Sequence, residues 1–151
     1  MTPERVFSRI VVPTDFSDCA MEAWALAQRL AGAVGSELVL AHVLVASPLF
    51  DEGPFSADRV RRVYEVASKW AEASLQEWAT EATGRGLRVR VALREGVPYR
   101  EIVALATDER ADLVLMGTHG RGGLDRALLG SVADRVVRLA PCPVLTVREP
   151  H

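Results

Sequence analysis

Apolar residues fall into short unbroken runs separated by stretches in which they recur every three or four positions, and the two patterns alternate along the chain. Arg9 to Pro13 (RIVVP), Glu37 to Val45 (ELVLAHVLV) and Leu113 to Met116 (LVLM) are short and lack polar alternation, which suits strands buried on both faces of a parallel sheet. After the first of them, Ala20, Trp24, Ala27, Leu30, Ala31 and Val34 step at helical spacing, with Ser17 or Asp18 to cap the start and Gly35 the end. Ala46 to Ser56, with two prolines and Gly53, reads as a loop longer than usual. Ala57 to Thr83 is a long helix whose apolar stripe takes in Val60, Val63, Ala67, Trp70, Ala71, Ser74, Leu75 and Trp78, stopped by Gly84 and Gly86. Leu87 to Leu93 (LRVRVAL) alternates charged and apolar residues, as an edge strand does. Glu95 to Pro98 is a turn, and Pro98 starts a helix that buries Ile102, Val103 and Ala106. Pro143 to Arg148 (PVLTVR) is a last strand. This alternation predicts an α/β fold: a single doubly wound domain over residues 1–151, with a five-stranded parallel sheet in the order 3-2-1-4-5, helices on both faces and right-handed crossovers.

Composition narrows the function. The 151 residues suffice for one core, and a net charge of -2 makes nucleic acid a poor candidate partner. No run approaches the ~18 apolar residues of a membrane span, and the N-terminus lacks the pattern of a leader, so a cytoplasmic location away from membranes is expected. Cys19 and Cys142 lie in opposite halves without C-x-x-C spacing, which gives no metal or redox centre; Cys142, between two prolines, reads as a small buried hydrophobe. His42, alone in its strand, reads as a structural histidine with a satisfied hydrogen bond.

Chemistry concentrates after Met116. Gly117, Gly120, Gly130 and Ser131 give the spacing G-x2-G-x9-G-S, and glycines let a main chain approach a bulky anion. Ser131 opens a run in which Val132, Val136 and Leu139 fall at helical spacing, so that free N–H groups and a helix dipole face a phosphate. The same residues admit a plainer reading, with Ser131 and Asp134 as a capping box and the glycines as turn residues. Ligands of doubly wound sheets bind at the switch point, here between Pro13-Thr14-Asp15 and the loop from Gly117. Asp15 suits two ribose hydroxyls, or a simple turn or cap.

Residues 113–147, LVLMGTHGRGGLDRALLGSVADRVVRLAPCPVLTV, resemble the nucleotide-binding half of the universal stress protein family, whose ATP-binding members carry this glycine spacing before a helix and a PCPVLTVR-type strand. The resemblance implies that Asp15 contacts ribose, that Val43 meets adenine through its backbone, and that Gly117, Gly120, Gly130, Ser131 and Val132 hold ribose and phosphates, with Pro13 and Met116 lining the adenine pocket. Thr14, Thr118, His119 and Arg121 complete the expected cofactor-binding set; Arg121 and Arg126 are placed to reach a phosphate or to be solvated surface arginines, and no mechanism follows for His119. The cofactor implied is ATP, with Mg2+ carried on its phosphates. No catalytic and no metal-ligating side chain is expected. The loop lacks a Walker lysine, and PTDFS stands where related nucleotide-cleaving enzymes carry SGGxDS, which weakens an enzymatic reading. The expected function is a nucleotide-dependent stress-response switch; a slow ATP hydrolase and a nucleotide-free dimeric scaffold are the alternatives. For the apolar edge strand Pro143 to Arg148 the resemblance implies a homodimer paired through that strand, the alternative being a monomer in which the N-terminal residues or Glu149-Pro150-His151 shield the edge. Gly130→Val is expected to abolish binding with the fold intact.

Overall fold

A computed structural model describes residues 6–45, 57–119 and 129–149. The elements run β1 Arg9–Pro13, α1 Asp18–Val34, β2 Glu37–Val45, α2 Ala57–Gly84, β3 Arg88–Gly96, α3 Pro98–Asp108, β4 Leu113–Gly117, α4 Ser131–Leu139 and β5 Val144–Val147. The strands form one parallel sheet in the order β3-β2-β1-β4-β5, as the hydrophobic pattern predicts. Alternate strand residues feed two cores. Ile10, Val12, Leu38, Leu40 and Leu115 pack with Trp24, Ala27 and Leu75 on the α1/α2 side. Val11, Val39, Ala41, Val114 and Met116 pack with Ile102, Leu105 and Val136 on the α3/α4 side. No helix of the described residues is long and apolar enough to cross a membrane.

Helix ends follow local chemistry. The Ser17 hydroxyl accepts from the Ala20 N–H at the start of α1, and Gly35, at φ 77, closes it with a bond to the Ala31 carbonyl. Other expectations need correction. Of the proposed α2 stripe, Ala71 and Leu75 are buried, whereas Val63 and Ala67 stand in solvent and Trp70 is half exposed. A 28-residue helix is about 42 Å long and a nine-residue strand about 30 Å. The sheet therefore supports only part of α2, whose second half anchors it through Ala71, Leu75, Ala79 and Ala82.

The strand β3 also outlasts its alternating pattern. Glu95 and Gly96 belong to it, paired with Leu44 and Val45, and Gly96 at φ 142 turns the chain into α3. In α3 Leu105, not Val103, joins Ile102 and Ala106 in the core. In α4 the buried pair is Ala133 and Val136, and Leu139 is exposed in the last turn. The capping box does not form: Gly130 is the N-cap, and the Asp134 carboxylate holds Arg138 at 3.2 Å. Cys142 is half-buried against the α3/α4 core, and this burial pushes its thiol up. Pro143 and Arg148 flank β5 rather than belonging to it.

At the N-terminal end of the sheet, Arg9, Glu37, Arg90 and Glu109 close a ring of alternating charge. Arg9 lies 3.5 Å from Glu37 and 3.6 Å from Glu109, and Arg90 bonds both carboxylates. Hydrogen bonds from Arg90 hold both carboxyls below their ordinary 4.5. A depressed carboxylate contributes stability that is complete above its unfolded value and is lost as pH falls through its folded one. Arg90→Met should therefore lower stability at neutral pH, by about 0.5–1 kcal/mol for so exposed an arginine, and the difference should close below pH 4.5. Urea midpoints measured across pH check this; a gap that persists in acid would assign the effect to packing.

Candidate functional site

The C-terminal ends of β1, β2 and β4 and the starts of α3 and α4 enclose a cleft of about 460 Å³. Eleven of the expected residues meet in its wall: Pro13, Thr14, Asp15, Val43, Met116, Gly117, Thr118, His119, Gly130, Ser131 and Val132. Gly120, Arg121 and Arg126 lie outside the described residues. Among the described residues five others, His42, Val45, Pro98, Ile102 and Ala133, line the cleft as well. Pro98 was within reach of the sequence, because it starts a helix, and helix starts share the strand-end side of such a fold with the ligand.

The first loop is held from several directions. The Thr14 N–H donates to the Ala41 carbonyl at 2.7 Å, and the Thr14 carbonyl lies 2.7 Å from His42 Nδ1. His42 thus has the structural bond expected of it and borders the cleft as well. Asp15 Oδ1 accepts from the Ser17 N–H at 3.0 Å, and Thr14 Oγ1 from the Phe16 N–H at 2.9 Å. Asp15 is therefore both a turn residue and part of the cleft wall. Phe16 sits at φ 63, unusual for a bulky side chain. Its ring packs on His42, edge-on against Trp70 and Trp78, and Trp78 stacks on Trp24.

Gly117 and Gly130, at the two ends of the second loop, are in close internal contact. A Cβ on Gly117 would stand 2.7 Å from Cys19 Sγ and 3.1 Å from its backbone, and one on Gly130 would stand 2.7 Å from the Thr118 carbonyl oxygen. The Gly130 N–H donates to that same oxygen at 2.8 Å. The expectation that Gly130→Val leaves the fold intact is corrected here: the side chain meets backbone that cannot swing away, and overpacking of this kind costs about 1–3 kcal/mol. A lower melting temperature for Gly130→Val, before any ligand is added, checks it.

What opens onto the cleft is the start of α4. Gly130 supplies no side-chain cap, and the Asp134 N–H, bonded to the Gly130 carbonyl at 2.9 Å, is the first of the helical ladder. The N–H groups of Ser131, Val132 and Ala133 have no intrahelical acceptor, and all three residues line the cleft. Pro98 and Ile102 bring a second helix start, without a side-chain cap, to the same space. Backbone donors and a helix dipole on one side, the Asp15 carboxylate on another and Pro13, Val43, Met116 and Ile102 as apolar wall suit a ligand with an anionic end, a hydroxylated middle and a flat apolar end. Among the described residues no group of three or more His, Cys, Asp or Glu could hold a metal ion.

Comparison with known proteins is decisive for the family, since the sequence profile of the universal stress protein family matches residues 7–148. The chain belongs to the universal stress protein family. Universal stress protein MJ0531 of Methanocaldococcus jannaschii is 37% identical over 152 residues, covering 97% of this chain and 85% of that one. The solved structure of MJ0577, a universal stress protein of the same organism, superposes with a TM-score of 0.85 at 28% identity, covering 97% and 99% of the two chains. A universal stress protein solved in complex with cAMP superposes with a TM-score of 0.66 at 26% identity, covering 94% and 97%.

Proposed function

We propose that this universal stress protein binds an adenine nucleotide in the cleft, with ATP as the cofactor and Mg2+ carried on its phosphates, and that it acts as a nucleotide-dependent switch. The observation that carries the reading is the start of α4, whose first three N–H groups have no intrahelical acceptor and whose residues line a cleft shared with Asp15. Phosphate takes the α4 donors, ribose hydroxyls donate to Asp15, and the base lies against Val43, Met116 and Pro13. The related protein in complex with cAMP supports the choice of adenine, since cAMP joins that base to a ribose and a phosphate. The cytoplasm is the expected compartment, and residues 1–151 the expected single nucleotide-binding domain.

The protein works as a homodimer in this reading. β5 is an edge strand, and the Val114 N–H to Pro143 carbonyl and Thr118 N–H to Val147 carbonyl bonds fix which of its backbone groups face β4. By the alternation of a parallel ladder, the backbone groups of Val144 and Thr146 face outward. Val137, Leu139 and Leu145 are exposed apolar side chains on the last two elements, which suits a covered edge.

The direct test is mass spectrometry of whatever small molecule leaves the purified protein on denaturation, with calorimetry of ATP and Mg2+ on the emptied protein. A released adenine nucleotide and saturable heat are expected. Neither one, at millimolar ATP, would remove the reading.

A further inference from the structure

One side-chain chain behind the cleft has a direction that follows from its far end. Cys19 Sγ lies 3.2 Å from the Val147 carbonyl oxygen, which can only accept, so the thiol proton is committed there. Toward Thr118 Oγ1, 3.8 Å away, the sulfur is then an acceptor only. Among the described residues the Thr118 hydroxyl proton has two destinations, Cys19 Sγ at 3.8 Å and His119 Nδ1 at 2.9 Å, and the shorter contact to the better acceptor prevails. That leaves Nδ1 bare and places the ring proton on Nε2. Nε2 is buried and has no hydrogen-bond partner among the described residues. His119 lines the cleft, and its Cα is 3.5 Å from the Cβ position of Gly130, hence beside the start of α4. The other titratable groups on the described walls are Asp15 and His42; Asp134, one turn into α4, is engaged by Arg138.

We propose that Thr118 is a positioning residue that fixes His119 in its Nε2–H form, and that this N–H is the side-chain donor to a ligand phosphate beside the backbone donors of α4. The proposal rests on the nucleotide reading. It turns the Thr118 hydroxyl from an expected ligand contact into a support, and it supplies a donor in a loop that has no Walker lysine. Cys19 has a part too, since its thiol proton, held by Val147, leaves the hydroxyl of Thr118 free to point at the ring.

The test combines calorimetry and nitrogen NMR of the imidazoles. ATP with Mg2+ and, separately, adenosine are titrated into the wild type, Thr118→Val, Thr118→Ser, His119→Ala and the double variant Thr118→Val with His119→Ala. His119→Ala is expected to lower ATP affinity about 5- to 10-fold, the worth of one hydrogen bond, and Thr118→Val by a smaller factor set by the share of the ring left in the Nε2–H form, with adenosine unchanged in both. Thr118→Ser should restore it, and the double variant should bind no more weakly than His119→Ala alone. Ligand-free wild-type His119 should show the Nε2–H pattern, and Thr118→Val a mixture of tautomers. An Nδ1–H wild type overturns the proposal even if Thr118→Val fails to fold. So do equal losses for ATP and adenosine, or additive losses in the double variant. An Nε2–H wild type that binds neither ligand overturns the nucleotide reading, and the phosphate role of His119 falls with it.

Discussion

Ser131→Glu is expected to weaken binding of ATP with Mg2+ at least about 100-fold while the fold keeps its stability. Ser131 is exposed at the first position of α4 and lines the cleft, so a longer side chain has room in the free protein. A carboxylate in the first helical turn interacts favourably with the dipole, by about 0.3–1 kcal/mol, so the variant should unfold no earlier than the wild type. The same carboxylate would occupy the donors that the proposed nucleotide's phosphate takes. Two like charges about 4 Å apart at the edge of a protein repel by about 4 kcal/mol, and about 2.8 kcal/mol already corresponds to a factor of 100. Ser131→Gln separates bulk from charge and should cost far less. Calorimetry decides: an unchanged affinity in Ser131→Glu would place the phosphate elsewhere, and equal losses in both variants would mean crowding. Glycine variants cannot make this distinction, because Gly117 and Gly130 are already in contact with Cys19 and Thr118.

Thr146→Pro should turn a dimer into a monomer at micromolar concentration. The Thr146 N–H faces away from β4, so the monomer loses no ladder bond when proline removes it, and proline is tolerated on edge strands for this reason. A second copy pairing with β5 would lose a central donor and meet the ring in its path. Partly buried as it is, Thr146 should repack at a cost well below that of unfolding. Sedimentation of both proteins, with circular dichroism to confirm the fold, is the measurement. A wild type that is already monomeric, or a Thr146→Pro dimer as tight as the wild type, would move the interface away from this strand.

Much of the architecture was legible in the pattern of the chain. β1, β2 and β4 are buried on both faces, and such strands leave an apolar run that nothing else of that length explains. The caps of α1 were legible because Ser17 and Gly35 act through local chemistry. What escaped depends on distant partners. The reach of β3 to Gly96 is set by nine residues of pairing with β2. Val63 and Ala67 keep helical spacing, yet the sheet ends before it can cover them. At the candidate site, eleven of the residues expected from the sequence line one cleft, although they come from separate parts of the chain. Gly117 and Gly130 also make close contacts within the protein, a constraint that no spacing reveals.

The aromatic cluster beside Asp15 has an optical consequence. The chain contains three tryptophans, Trp24, Trp70 and Trp78, and every one belongs to that cluster. Phe16, the residue after Asp15, touches two of the indoles with ring centroids at 4.9 and 5.4 Å. The whole tryptophan emission of the protein therefore originates next to the turn that meets the cleft, with no remote indole to dilute it. A displacement of that turn by a bound molecule alters the surroundings of the emitting rings, so the protein carries an unlabelled fluorescent gauge of its own occupancy.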